Sequence, residues 1–314
     1  MIVSIEPFDQ KIILDLKAEG IDVVVVERNA QTVNALRKMN PEVLICRDRD
    51  NIRTIVERCP TIKLIFIVEV GVEELPFEIL LEKGIRVANT GGISTDIMSN
   101  YVMSIILGQC SRLKENVLNQ QSRYWKKFQC TESLQGKVML VVGAGHTGRA
   151  IARKAKVFGM AMYGVQREPR PTEFFDKTMT ISEMDGYLAM ADYVVCTLPE
   201  TKYTVGLFNY QRFTKMKPTA TFINVSRGAL VVEEDLLKAL DENLLSCACL
   251  DVFRHEPLMQ ESPLWTHPNV IVTPHQSGRL SDYMIQAMKF FKVNYWAFKN
   301  GERLPNEINL RNGY

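Results

Sequence analysis

Three short stretches put charged side chains directly after apolar runs: Asn224-Val225-Ser226-Arg227-Gly228, Leu250-Asp251-Val252-Phe253-Arg254-His255-Glu256-Pro257 and Thr273-Pro274-His275-Gln276-Ser277-Gly278. Arginine offers a planar fork that matches a carboxylate. Histidine can protonate a developing alkoxide near neutral pH, and a carboxylate beside an imidazole favours its protonated form. Arg227, His275 and Glu256 would therefore supply what hydride transfer to a 2-keto acid needs: a cation for the carboxylate and carbonyl, an acid, and a neighbour that keeps the acid protonated. Singly, each has a structural alternative, because a histidine after proline is commonly a loop residue and a glutamate before proline a solvated turn. The set of three favours chemistry.

A fourth stretch supplies a binding site for the other reactant. The apolar run Val138 to Val142 reads as a buried strand, and Gly143, Gly145 and Gly148 follow at G-x-G-x-x-G spacing. Arg149 to Phe158 then has helical periodicity. Gly143 permits the turn, Gly145 lets the backbone approach a pyrophosphate, and Gly148 lets helix and strand pack closely, with His146 and Thr147 inside the phosphate turn. This is the pattern of a Rossmann dinucleotide unit. Its second strand should end in an acid that binds the adenosine ribose of NAD, yet here it ends Gln166-Arg167-Glu168-Pro169-Arg170. Arg167 and Arg170 would suit a 2′-phosphate, so the expected cofactor is NADP(H) in preference to NAD(H). Glu168 works against that preference, and the alternative is that both arginines only solvate a loop.

These residues need a scaffold of alternating strands and helices. Apolar runs at Met1 to Ile5, Val23 to Glu27, Val43 to Cys46, Leu64 to Val68 and Arg86 to Ala88 alternate with amphipathic segments at about Phe8 to Glu19, Thr32 to Met39 and Asn51 to Cys59. The pattern predicts an α/β, flavodoxin-like unit with a doubly wound parallel sheet. Arg47-Asp48-Arg49 and Glu69-Val70-Gly71-Val72 follow its third and fourth strands, where ligands of such sheets sit. The segment from Gly91 to Asp96 opens one long helix to about Asn119, read as crossing between domains. A second series follows, with strands at about Ala161 to Val165, Tyr193 to Thr197, Thr221 to Asn224, Ser246 to Asp251 and Val270 to Val272, and then a helix from Ser281 to Lys299. The expected architecture is two doubly wound parallel-sheet domains, with the dinucleotide-binding domain (96–281) inserted into a substrate domain (1–95 and 282–314).

Bulk properties narrow the partners. Lys and Arg outnumber Asp and Glu by only 38 to 36 over 314 residues, which points away from nucleic acid and anionic membranes and towards a small molecule. The seven cysteines show neither C-x-x-C nor the Cys/His spacing of a zinc site, so no metal is expected, and the chain reads as a reduced, cytoplasmic protein. The longest apolar stretch, near Tyr101 to Cys110, is too short to span a bilayer. Cys247 and Cys249 alternate with small residues in a strand and read as core.

The motifs VVGAGHTGRAIARKAKVFGM, TLPETKYTVGLFNYQRFTKMKPTATFINVSRGAL, LDVFRHEPL and SPLWTHPNVIVTPHQSG, with GVEELPFEILLEKGIRVANTGG more loosely, resemble the D-isomer-specific 2-hydroxyacid dehydrogenase family. That family includes glyoxylate/hydroxypyruvate reductases, D-lactate dehydrogenases and phosphoglycerate dehydrogenases. The resemblance implies that Arg227 binds the substrate carboxylate and carbonyl, that His275 is the general acid/base, and that Glu256 pairs with it and holds its pKa up. It implies a cofactor path along Leu198, Pro199, Thr204, Val225, Ser226 and Gly278, with Asp251 at the nicotinamide end. It also implies substrate carboxylate binding by the Val70 and Gly71 amides, an active site in the cleft, and a homodimer formed through the cofactor domains and the crossing helix. The chain departs from the family pattern at Gly91-Gly92, Asn100, His146 and Glu69, and an inward Glu69 would repel a second carboxylate or a phosphate. Two alternatives stay open: phosphoglycerate dehydrogenase proper, with Arg47 or Arg49 on the substrate phosphate, and a nucleotide-sensing, corepressor-like protein without catalysis.

Overall fold

Among the described residues, apolar and β-branched runs too short to make a helix form twelve strands, all in parallel ladders. The structure is a computed structural model that describes residues 1–47, 50–127 and 131–313. Asp48 and Arg49 lie outside the described residues. The chain divides into two units, Met1–Ile93 with Leu280–Tyr314, and Ser94–Arg279.

In the first unit, β1 (Ile2–Ser4), β2 (Val23–Val25), β3 (Val43–Cys46), β4 (Leu64–Ile67) and β5 (Arg86–Ala88) form one sheet in the order β2-β1-β3-β4-β5. That is the flavodoxin-like order. Every residue of β3 and β4 is buried, as a parallel sheet covered on both faces requires. One face packs on Leu36, Ile52, Ile55, Val56 and Leu80. The other packs on Ile12 and Leu16 of the helix Gln10–Ala18 and on Met288 and Phe291 of the helix Tyr283–Lys299. Glu307 forms a bridge with Ala88 and receives two bonds from Arg86, at 2.7 and 2.9 Å, so the C-terminal segment covers the β5 edge.

The second unit holds β6 (Val138–Val142), β7 (Ala161–Val165), β8 (Lys177–Met179), β9 (Tyr193–Cys196), β10 (Thr221–Asn224), β11 (Cys247–Leu250) and β12 (Val270–Val272). Their order, β12-β11-β10-β9-β6-β7-β8, reverses between β6 and β9, the switch point at which doubly wound sheets bind ligands beyond the strand ends. The helices Thr95–Cys110 and His146–Val157 share one core through Val102, Met103, Ile106, Ile151, Ala152 and Ala155. The structure differs from the sequence reading in two places. The long helix expected to about Asn119 is two helices, Thr95–Cys110 and Leu113–Gln121, with Arg112 left-handed at φ 54°. The break falls where the buried stripe ends: no residue of the second helix is buried, so no packing holds it in line with the first. The strand β8 was not expected, because three residues at a sheet edge carry almost no periodicity. Among the described residues no helix is long and apolar enough to cross a membrane, and no group of three or more His, Cys, Asp or Glu could hold a metal ion.

Candidate active site

The carboxyl ends of β6, β7, β9, β10, β11 and β12 carry the candidate residues of the second unit. After β6, Gly143 adopts φ +124°, and a Cβ there would lie 2.7 Å from Thr197 Oγ1. A Cβ on Gly148 would lie 2.1 Å from the Gly143 carbonyl oxygen, so both glycines are required by the chain's own packing. Gly145 is different. No heavy atom stands within 4 Å of its Cβ position, and it opens the helix His146–Val157, whose first N–H groups lack intrahelical partners. Its missing side chain leaves open space over a helix N-terminus, the shape a pyrophosphate needs. His146 and Thr147 form the first turn of that helix. Burial, and then the Arg149 guanidinium 3.4 Å from Nδ1, push the His146 imidazole below its usual pKa.

At the end of β7, Gln166 Nε2 donates to the Arg170 carbonyl at 3.1 Å and to Thr172 Oγ1 at 3.0 Å. Thr172 and Thr178 donate to the same carbonyl at 2.9 and 2.7 Å. The loop bearing Arg167 and Arg170 is thus tied down through its backbone while both arginines are exposed. Beyond β9, Leu198 and Pro199 follow the strand. Thr204 is buried and donates to the Pro199 carbonyl at 2.8 Å, so its hydroxyl braces this loop. Val225 and Ser226 are buried too, and Ser226 bonds to Asn224 Oδ1 through both its N–H and its hydroxyl, at 3.1 Å each.

Asn224 also donates to the Arg227 carbonyl at 3.0 Å, a side-chain brace across the turn that presents the arginine. Arg227 is half-buried, and its Nη1 donates to the Ser226 carbonyl at 2.9 Å. A Cβ on the next residue, Gly228, would lie 1.9 Å from the Phe253 carbonyl carbon, so the arginine turn and the segment after β11 touch backbone to backbone. That segment is held by two carboxylates: Glu233 accepts from the Arg254 N–H at 2.8 Å, and Glu256 Oε1 from the Phe253 N–H at 2.9 Å. The second oxygen of Glu256 lies 2.6 Å from His275 Nδ1. The structure therefore brings Glu256 and His275 together and sets them beside the segment that abuts Arg227-Gly228. With Nδ1 engaged by a carboxylate, the outward Nε2 is the nitrogen left for proton transfer.

His275 has φ 49°, left-handed for a residue with a side chain. Asp251, fully buried, accepts three consecutive N–H groups of its loop: His275 to the backbone carbonyl at 2.8 Å, Gln276 to Oδ1 at 3.0 Å and Ser277 to Oδ2 at 2.9 Å. Thr273 donates its hydroxyl to Oδ1 at 2.6 Å, and Tyr101 OH lies 2.6 Å from Thr273 Oγ1. Gly278 closes the loop, its carbonyl accepting from Ser94 Oγ at 2.7 Å. Asn224, Thr273 and Tyr101 escaped the sequence reading as working residues. Asn224 alone left a trace, an Asx residue placed to bond across a turn.

In the first unit, the Val70 and Gly71 N–H groups meet no acceptor among the described residues, while the Val70 carbonyl accepts from Asn89 Nδ2 at 2.7 Å. Arg47 is not available as a lone cation. It donates to the buried Glu6 through Nε and to Glu69 at 2.6 Å through Nη1, and Arg28 joins Glu6 at 2.8 Å. Burial works to raise the Glu6 carboxyl, but hydrogen bonds from Arg47 and Arg28 outweigh it and hold the group below the usual carboxylate range.

A family model described as D-isomer specific 2-hydroxyacid dehydrogenase, NAD binding domain, matches residues 103–277, more than half of the chain. The chain belongs to the D-isomer specific 2-hydroxyacid dehydrogenase family. These are NAD(P)-dependent oxidoreductases, and the second unit is the Rossmann domain of such an enzyme. A mouse relative named glyoxylate reductase/hydroxypyruvate reductase is 32% identical over 274 residues, covering 85% of this chain and 84% of its own length. The structure of a D-isomer specific 2-hydroxyacid dehydrogenase family protein from Aeromonas salmonicida is 30% identical with a TM-score of 0.81 and 98% of each chain covered. An NADPH-dependent glyoxylate/hydroxypyruvate reductase from Sinorhizobium meliloti, solved with NADP and sulfate, is 25% identical with a TM-score of 0.80, covering 100% of this chain and 99% of that one. Within the 2-hydroxyacid dehydrogenase family, the chain is thus similar to reductases.

Proposed function

We propose that the chain reduces small 2-keto acids such as glyoxylate and hydroxypyruvate to D-2-hydroxy acids, preferring NADPH to NADH. The observation that carries this reading is the 2.6 Å pair of Glu256 with His275, set beside the turn that bears Arg227. Arg227 binds the substrate carboxylate and polarises the adjacent carbonyl. His275 delivers a proton from Nε2 to the carbonyl oxygen, and Glu256 fixes the ring so that Nε2 carries it. The bound nicotinamide supplies the hydride. In the first unit, the Val70 and Gly71 N–H groups, which meet no acceptor among the described residues, are donors suited to a carboxylate. Substrates with a distal phosphate are poor, because the Arg47 guanidinium is already neutralised by Glu6 and Glu69, which disfavours phosphoglycerate dehydrogenase proper.

The cofactor fits by the same kind of argument. The amides around Gly145, His146 and Thr147 hold the pyrophosphate. Arg167 and Arg170 meet the 2′-phosphate on a loop where Gln166 replaces the ribose-binding acid, Leu198 and Pro199 line the path, and a neighbouring reductase is solved with NADP. We further infer a cytoplasmic homodimer. Leu113, Val117 and Leu118 are exposed on one short helix and Trp125 is 85% exposed just beyond it, an apolar patch that a second copy would cover.

The test is cofactor oxidation followed optically, with NADPH and NADH each offered against glyoxylate, hydroxypyruvate, pyruvate, phenylpyruvate, 2-ketoisovalerate and phosphohydroxypyruvate. Turnover with NADPH and a small unphosphorylated acid is expected. NADPH binding without turnover across the panel would make the chain a nucleotide-sensing binding protein, and phosphohydroxypyruvate as the best substrate would overturn the reading of Arg47.

A further inference from the structure

The left-handed backbone at His275 costs free energy for a residue with a Cβ and persists only where its surroundings over-determine it. Packing does not do so here. Tyr101, Pro274, Gln276 and Ser277, with Ile97 and Arg279, line an open depression of about 410 Å³, so that side of the loop faces solvent. The constraint comes from Asp251. Its main-chain carbonyl takes the N–H of His275, and its two carboxylate oxygens take the N–H groups of Gln276 and Ser277, so the peptide before the strained residue is tied to the Asp251 backbone and the two after it to its buried carboxylate.

That carboxylate makes no ion pair with a cation among the described residues. A buried anion of this kind depends on neutral donors, and among the described residues Thr273 is the one side chain that supplies a hydroxyl to it. The Thr273 proton points at an acceptor-only oxygen, so the 2.6 Å contact with Tyr101 must have the tyrosine as donor. Burial pushes the Tyr101 hydroxyl up to about 12, which keeps it a donor throughout the working range.

We propose that Tyr101, Thr273 and Asp251 form a positioning relay for His275, in which a buried carboxylate, oriented by a tyrosine-to-threonine hydrogen-bond chain anchored on the helix Thr95–Cys110, holds the loop in its left-handed turn. The relay rests on the reading of His275 as the acid. It can be tested apart from an assignment of Asp251 to the nicotinamide, because the relay acts through the two carboxylate oxygens that the loop N–H groups and the Thr273 hydroxyl engage. Tyr101 and Thr273 act through Asp251 and are positioning residues.

Four variants of the full chain test this: Thr273→Val, Thr273→Ser, Tyr101→Phe and His275→Asn. Amide hydrogen exchange over residues 273–278 should be at least tenfold faster in Thr273→Val and restored by Thr273→Ser, a readout independent of turnover. With NADPH and hydroxypyruvate, kcat should fall at least tenfold in Thr273→Val and about fivefold in Tyr101→Phe, with NADPH Kd within twofold of wild type and Thr273→Ser recovering kcat. Unchanged exchange in Thr273→Val would overturn the relay, and so would a rise in NADPH Kd parallel to the loss in kcat, which would return Asp251 to the cofactor. Failure of the parent reading looks different: His275→Asn would keep wild-type turnover while the exchange rates still respond to Thr273.

Discussion

Replacing Glu256 by Gln keeps the side chain's size and removes one of its two acceptors. Both oxygens are in use, Oε1 by the Phe253 N–H at 2.9 Å and Oε2 by His275 Nδ1 at 2.6 Å. An amide can accept at one of these points only, so either the loop N–H faces an NH2 group or the imidazole loses its carboxylate. A hydrogen bond to a charged group contributes roughly 1.5–3 kcal/mol. Tenfold in rate is about 1.4 kcal/mol, so complete loss in the transition state would cost roughly ten- to a hundredfold in kcat. Glu256 and His275 are 34% and 49% exposed at their side chains, and solvent screening moves the expectation to the lower end, about tenfold. Glu233→Gln is the matched control. That carboxylate holds the same segment through the Arg254 N–H at 2.8 Å but does not touch the imidazole, so kcat should change less than threefold. The assay is steady-state NADPH oxidation with KM and kcat resolved, and NADPH affinity by fluorescence titration. A Glu256→Gln enzyme with wild-type kcat, or one no worse than Glu233→Gln, would refute the assigned role.

Other consequences can be measured directly. Because Glu6 is held below its usual value of 4.5, its contribution to stability is present above that pH and is lost as pH falls through the lowered folded value; urea midpoints from pH 7 down to 3 should fall less steeply in Glu6→Gln than in wild type. His146 is depressed below 6.5 by burial and by Arg149, so its charged form is disfavoured until an anion binds over it; NADPH should bind more tightly as pH drops from 7.5 to 5.5, with proton uptake in calorimetry, and His146→Asn should abolish that dependence. Gly148→Ala would force a Cβ to within 2.1 Å of the Gly143 carbonyl and should lower the unfolding free energy by roughly 1–3 kcal/mol with loss of cofactor binding, whereas a variant as stable as wild type would show that the turn can open. Arg167→Ala and Arg170→Ala should each weaken NADPH binding about tenfold and leave NADH nearly unchanged, since a charge-assisted phosphate contact of roughly 1.5–3 kcal/mol would be lost.

What could be read from the sequence followed the range of the signal. The five-residue run Val138–Val142 with three spaced glycines carries its own geometry, because a turn that tolerates only Gly at Gly143 and Gly148 is a local demand. Arg227, Glu256 and His275 stood out by type and by their place after strands. The break at Arg112 left no such mark, since it follows from where burial stops and not from a residue that forbids helix. Asp251 was visible as a polar residue at a strand end and, through the family resemblance, as a residue at the nicotinamide end of the cofactor path, but not as the anchor of the His275 loop. Its capture of three loop N–H groups depends on β11 and β12 lying side by side, a relation between residues more than 20 positions apart. Glu6 passed unnoticed and Arg47 was read as a ligand or phosphate residue at a strand end, because their ion pair spans 41 residues and exists only once β1 and β3 are neighbours.

Gly228 has an effect on how the enzyme can diversify. With no room for a Cβ against the Phe253 backbone, the turn bearing Arg227 and the segment bearing Glu256 form a single plate that neither insertion nor a larger residue can part. On the proposed function, new substrate preferences are then acquired elsewhere, and Val70, 43% exposed and beside N–H groups that meet no acceptor among the described residues, is a position in the first unit where size can change.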